Sequence, residues 1–227
     1  MSNIFAILLQ VVAMTVSPAS AQSPSAVVEE VGAGVAGVQF MDYVEPGQVI
    51  RLGAVDRLVL GYLKSCWRET ITGGTVTVGT EQSQVAGGEV ARVQVQCEGG
   101  KMMLSAELAG KSGAMVFRQA PKAQAAAIPH PQFTLYGLSP VFEVQPGGNL
   151  VIERLDQPGE RHRIAVAEPG LIRGAFLDLA KAGVALVPGG IYRAKLGEQE
   201  LVFKMDAQAK AGDAPLVGRL ARLQARN

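Results

Sequence analysis

The chain has 227 residues and a formal net charge of +1, from 21 Lys plus Arg against 20 Asp plus Glu. At ~100–200 residues per domain this is one large domain or two small ones, and the near balance of charge excludes the strong basic excess of a nucleic-acid binder. Two Cys and two His in the whole chain leave little material for a metal site.

The first element is an export signal. Residues 1–21 contain no charged side chain, and Ile4 to Val16 is an apolar run of 13 broken only by Gln10 and Thr15. That length suits a signal h-region and falls short of the ~20 residues a membrane-spanning helix needs. Ala19 and Ala21 match the A-x-A cleavage pattern, so removal after Ala21 is expected, although Met1-Ser2-Asn3 supplies no Lys or Arg. The mature chain, from Gln22, then has no integral membrane segment and is expected to be periplasmic or secreted. In that oxidising compartment Cys66 and Cys97 are expected to pair. The bridge closes a loop of 32 residues, worth about 3.7 kcal/mol by chain entropy. Neither cysteine has C-x-x-C spacing or a neighbouring His, as a redox pair or catalytic thiol would want.

From Val27 to Arg118, β-branched segments alternate with glycine pairs. Val49 to Leu52, Arg57 to Leu63, Thr75 to Val78, Val90 to Cys97 and Met102 to Leu108 read as strands. Gly73-Gly74 and Gly99-Gly100 read as two-residue hairpin turns, and Gly87-Gly88 as another turn. Ala91, Val93, Val95 and Cys97 share one face of their strand, which points Cys97 inward. Arg68-Glu69 reads as an exposed pair of opposite charges. Residues 119–131 hold three prolines and five alanines in 13 positions, a composition that makes a semi-rigid linker.

A second run of strands follows: Gln132 to Tyr136, Val141 to Val144, Leu150 to Arg154, His162 to Ala167, Ile191 to Leu196 and Leu201 to Met205. Ala175 to Ala182 reads as a short helix stopped by Gly183. In the tail, Leu216, Leu220 and Leu223 stand at helical spacing, a small apolar face expected to dock on its own domain or to fray. The expected fold is all-β: two small β-sandwich-like domains, 22–118 and 132–206, with one short helix in the second and a helical tail over 207–227.

Leu186-Val187-Pro188-Gly189-Gly190-Ile191-Tyr192 follows an L-x-P-G-x-x-Y pattern into a late strand. It resembles the tyrosine corner of fibronectin type III and immunoglobulin-like sandwiches, and that resemblance implies that Tyr192 locks the fold by bonding back to the backbone upstream. In the first half, Val44-Glu45-Pro46-Gly47-Gln48-Val49-Ile50-Arg51-Leu52 and then Arg57-Leu58-Val59-Leu60-Gly61 resemble FecR-like periplasmic domains, small β-structures of signalling and cell-envelope proteins. Where that family often shows an Asp-Gly-Ser turn, this chain has Glu98-Gly99-Gly100-Lys101, and it adds two cysteines.

Gly32, Gly34 and Gly37 satisfy G-x-G-x-x-G with Asp56 19 residues beyond, but a dinucleotide site needs a strand before and a helix after. Pro46 and Val38-Gln39-Phe40-Met41 oppose that helix, so a flexible glycine lead into the first strand is expected. Cys97 has no His close behind it for a blue-copper site, and His130 and His162 form no zinc cluster. No Gly-x-Ser-x-Gly elbow or Ser-x-x-Lys pair is present to activate a serine. No catalytic residue, cofactor or metal ligand is therefore assigned. The densest charge lies in Glu153 to Arg163, read as a hairpin on which Arg154, Arg161 and Arg163 meet an anionic glycan or a partner's carboxylates. The expected function is an exported, non-catalytic interaction or scaffold module of the cell envelope, with an envelope protein or glycan as partner and no nucleic acid. The alternatives are a hydrolase or carbohydrate-active enzyme with a dispersed carboxylate site, and a periplasmic regulatory sensor.

Overall fold

The structure is a computed structural model that describes residues 23–98, 128–212 and 214–223. The export signal, the Gly99-Gly100 turn, the Met102 to Leu108 strand, most of the linker and the last tail residues lie outside the described residues. What is described is all-β, with strands in both halves.

The first half forms one antiparallel sheet of six strands. They are β1 (Ala26–Val31), β2 (Tyr43–Val44), β3 (Val49–Tyr62), β4 (Trp67–Thr77), β5 (Gln84–Ala86) and β6 (Glu89–Gln94), ordered β2-β1-β3-β4-β5 with β6 also on β4. Apolar residues at alternate positions, Ile50, Leu52, Leu58, Leu60 and Tyr62 of β3 with Ile71 and Val76 of β4, build its core. The two segments expected as separate strands are one continuous β3. Its pairing with β4 jumps from Leu52↔Gly74 to Arg57↔Thr72, a bulge of the kind that bends a sheet.

The glycine pairs correct the hairpin reading. Gly73-Gly74 lies inside β4, and Gly87-Gly88 joins β5 to β6, which run one after the other along the same side of β4 without reversing. The two pairs sit opposite each other, between Thr72↔Glu89 and Thr75↔Ala86. A Cβ on Gly74 would stand 2.5 Å from the Ala86 carbonyl oxygen, and one on Gly88 2.1 Å from that of Gly73. Glycine here permits close backbone approach at a bulge, which sequence alone does not distinguish from a turn.

The second half is a sandwich. Its larger sheet contains β7 (Phe133–Gly137), β9 (Asn149–Arg154), β10 (Arg161–Ala165), β12 (Ile191–Leu196) and β13 (Gln199–Lys210), in the order β10-β9-β12-β13-β7. The smaller has the order β11-β8-β14, from β8 (Val141–Glu143), β11 (Phe176–Asp178) and β14 (Leu220–Arg222). The β13–β7 and β14–β8 pairs are parallel and the rest antiparallel. Leu150, Ile152, Tyr192 and Phe203 of the large sheet meet Phe142, Leu177 and Ala221 of the small one in a common core.

The small sheet is buried on both faces. Phe142, Leu177 and Ala221 point into the sandwich, while Val141, Phe176 and Leu220 belong to a second cluster with Val27, Met41 and Leu63 of the first half. The halves are therefore joined by an apolar core. This explains two corrections. The expected helix at Ala175 to Ala182 is strand β11 followed by turns, because a strand covered on both sides is a continuous apolar run that resembles a buried helix. The expected tail helix is a 3-10 turn, Leu216–Gly218, followed by β14: Leu216 and Leu220 face the joint, and Leu223 faces the sandwich core.

Polar groups fix the same joint. Glu29 accepts from Arg68 Nε at 2.7 Å and from the Val217 amide at 3.1 Å. Arg173 pairs with Asp42 across the joint at 2.9 Å, and within the second half Arg219 Nη1 ties the tail to Asp178 of β11 at 2.9 Å. A Cβ on Gly218 would lie 2.5 Å from the Gln96 carbonyl oxygen, so the tail turn seats backbone against backbone.

Candidate functional site

The cysteines form the Cys66–Cys97 disulfide, with their Cα atoms 5.6 Å apart. It closes the end of the β4–β6 ladder, and Cys97 packs against the apolar joint. The alternation that placed Ala91 and Val93 inward is reversed in β6, where Val93 is 61% exposed. The inner face of β6 carries Arg92 instead, opposite a fully buried Glu69. Glu69, expected in solvent, accepts from Arg92 Nε at 2.6 Å and from the Ser83 amide at 3.1 Å. Ser83 Oγ in turn lies 2.7 Å from the Tyr62 hydroxyl, whose pKa burial pushes up to about 12. This closed network satisfies its buried charge within the fold.

The G-x-G-x-x-G run follows β1 rather than leading into it, and no helix comes after it. The Asp56 carboxylate accepts from the Gly53 amide at 2.9 Å and occupies the space a side chain on Gly34 would need.

The three arginines of the charged hairpin separate. Strand alternation turns Arg154 inward with Ile152, and its fork binds Asp156 through two contacts of 3.0 Å. Arg154 Nη1 lies 3.5 Å from Glu160, and the guanidinium carbon 6.0 Å from the Tyr192 ring centroid. The Arg154 hydrogen bonds and the Ile191 amide, 2.9 Å from Asp156 Oδ1, hold the Asp156 carboxyl below its ordinary pKa. Tyr192 accepts from the Val187 amide at 2.8 Å and donates to Glu160 at 2.8 Å, and burial raises its pKa. His162 Nε2 approaches Glu160 at 3.3 Å, while His130 is exposed. Arg154 thus serves the fold together with Tyr192.

Arg161 and Arg163 stand on the opposite, solvent face of the large sheet. Register aligns Arg161, Glu153, Arg193 and Val202 in one row across β10, β9, β12 and β13, and Arg163, Val151, Lys195 and Glu200 in the next. Lys204 lies one row further on the same face, beside Ile191. Among the described residues Arg161, Arg163, Lys195 and Lys204 have no ion-pair partner; Arg193 Nε lies 3.2 Å from Glu200. A cleft of about 190 Å³ opens between the rows, lined by Val151, Glu153, Arg161, Arg193, Lys195 and Glu200.

No family model, curated protein or solved structure matches the chain.

Arg193, Lys195 and Lys204 were missed by reading the sequence. The signal was present in Ile191 to Leu196, where Arg193 and Lys195 alternate with Tyr192 and Ala194. Seeing the site also required knowing that β12 lies beside β9, 44 residues away in sequence by the Lys195↔Val151 pairing. A larger cleft of about 430 Å³ is lined by Gln96, Tyr136, Gln208, Lys210, Ala211 and Ala214. It is bigger but carries one cation, so the charge rows, rather than the volume, mark the candidate site.

Proposed function

We propose that this chain is an exported, non-catalytic interaction module of the cell envelope that binds through the solvent face of its large sheet. The observation that carries the reading is the grouping of Arg161, Arg163, Arg193, Lys195 and Lys204 on one face of a chain whose total charge is +1. Export is supported by the apolar leader and by the disulfide. The immunoglobulin-like reading of the second half is supported by the Tyr192 to Val187 hydrogen bond and by an antiparallel β10-β9-β12-β13 sheet facing the β11-β8 pair.

Fractionation of cells expressing the full chain tests the proposal. The expected result is a processed protein in the envelope fraction, released by salt and lost from that fraction when Arg161→Glu and Arg163→Glu are combined. A protein that stays in the cytoplasm, or envelope retention that ignores the double substitution, would overturn it.

A further inference from the structure

We infer that the partner of this face is an acidic polysaccharide lying across the strands, its carboxylates or phosphates held between two cationic rails. The inference rests on the proposed reading and names the chemistry of its ligand.

The rails follow from register. Arg161 and Arg163 line β10, and Arg193 and Lys195 line β12, with β9 between them. Adjacent strands lie about 4.8 Å apart, so the rails are about 10 Å apart, and residues two apart along each strand are separated by about 7 Å. Val151 and Glu153 form the floor of the cleft, and Glu200 sits against Arg193. These two acids offset part of the field and leave Arg161, Arg163 and Lys195 as the outward cations. Lys204 extends the cationic band across β13.

The character of the face selects among polyanions. Protein partners anchor in buried aromatic and large apolar groups, yet the exposed large hydrophobics among the described residues, Phe40, Val49, Val55, Val93, Ile128 and Val187, all lie off these two rows. Single-stranded nucleic acid wants aromatic platforms for its bases, and neither row contains one. What remains is recognition by charge over aliphatic stems, with a shallow cleft of about 190 Å³ that admits one acidic group at a time. A repeating acidic chain uses such a surface by engaging successive cations.

The test uses the full exported protein and three immobilised probes: polygalacturonate, neutral dextran and polyglutamate. Binding to polygalacturonate alone is expected, weakening steeply as salt rises because each contact releases counterions. The Arg161→Ser/Arg163→Ser variant is expected to lose at least about tenfold in affinity, and its salt slope to fall by about one unit per cation removed. Lys195→Ser is expected to lose less but in the same direction. Since among the described residues Arg161, Arg163 and Lys195 make no ion pair, the variants should keep the parent's thermal midpoint. Equal binding to dextran, or polygalacturonate affinity untouched by the substitutions, would sink the inference. Binding to polyglutamate that the double variant abolishes, without binding to polygalacturonate, would also sink the polysaccharide while leaving the face as a docking site for an acidic protein. Failure of the broader reading shows up separately, as cytoplasmic protein in the fractionation experiment.

Discussion

The Tyr43 hydroxyl donates to Glu143 Oε2 at 2.8 Å, tying β2 of the first half to β8 of the second. Arg222 of β14 closes the triangle, with Nε 2.7 Å from the same carboxylate and its guanidinium carbon 5.5 Å from the Tyr43 ring centroid. Tyr43 also meets the Phe176 ring edge-on, with centroids 6.1 Å apart. Tyr43→Phe keeps the ring contact and removes only the hydrogen bond to a charged acceptor, so it is expected to cost about 1.5–3 kcal/mol. Urea unfolding followed by Trp67 fluorescence gives the number. Glu143→Ala strands both Tyr43 and Arg222, and should cost more and broaden the transition as the halves lose their coupling. An unchanged midpoint for both variants would show that the apolar joint alone holds the halves together.

The facing glycine pairs make a sharper steric prediction. A Cβ on Gly88 meets the Gly73 carbonyl oxygen at 2.1 Å, whereas one on Gly87 meets nothing within 4 Å. Gly87 has a φ of 68°, so Gly87→Ala is expected to cost about 1–2 kcal/mol for left-handed backbone. Gly88→Ala must push β4 and the β5–β6 line apart and should cost more than Gly87→Ala. Thermal midpoints of the two variants rank them, and the reverse order would refute the bulge geometry.

Several period-2 strands of both halves were legible in the sequence because each buries one face and wets the other, but β1 and the Trp67 to Thr72 part of β4 were not read as strands. The misread elements share a physical origin. Phe176 to Asp178 and Leu220 to Arg222 are covered on both faces, so their apolar spacing imitates a helix. Glu69 looked solvent-exposed because the Arg92 and Ser83 that compensate its burial come from later segments. For the same reason Arg154 was grouped with Arg161 and Arg163: local charge density marked the hairpin, but alternation sends Arg154 to the Tyr192 side. Three of the five cations of that face, Arg193, Lys195 and Lys204, lie in β12 and β13, and only strand order brings them onto one face with β10.

Tyr192 offers a separable test of the second half. Its hydroxyl both accepts from Val187 and donates to Glu160. Tyr192→Phe leaves that amide without an acceptor while preserving the stack on Phe203, whose centroid is 5.8 Å away. The expected loss is about 1–3 kcal/mol in denaturant unfolding. Binding through the opposite face of the sheet should persist under native conditions. A variant as stable as the parent would show that the corner hydrogen bonds are replaced by water.

Removal of the disulfide tests the first half. The Cys66→Ser/Cys97→Ser variant reopens a loop whose ends are 31 positions apart, with an expected cost of about 3.7 kcal/mol if chain entropy dominates. Thiol titration of denatured, unreduced parent protein should find no free thiol from this pair. A double variant that unfolds at the parent's midpoint would place the stability of the β4–β6 ladder in the Glu69–Arg92 network instead.

Asp156 should contribute to the acid sensitivity of the fold. Hydrogen bonds from Arg154 and the Ile191 amide favour its charged form and lower its folded pKa, against about 3.9 for an unfolded aspartate. A depressed carboxyl contributes stability that is complete above the unfolded value and disappears as pH falls through the folded one. The parent should therefore hold this contribution from neutral pH down to about 4, and lose it below. Asp156→Asn keeps an acceptor for the Ile191 amide but removes the charge that Arg154 grips. With the Asp156 side chain 23% exposed, solvent screening keeps the neutral-pH penalty near the lower end of the range for charged hydrogen bonds, about 1.5 kcal/mol. The gap between parent and variant, read from urea midpoints across the acid range, should narrow steadily below about pH 4. A gap that stays constant would mean that Arg154 binds Asp156 by shape and hydrogen bonding without drawing on its charge.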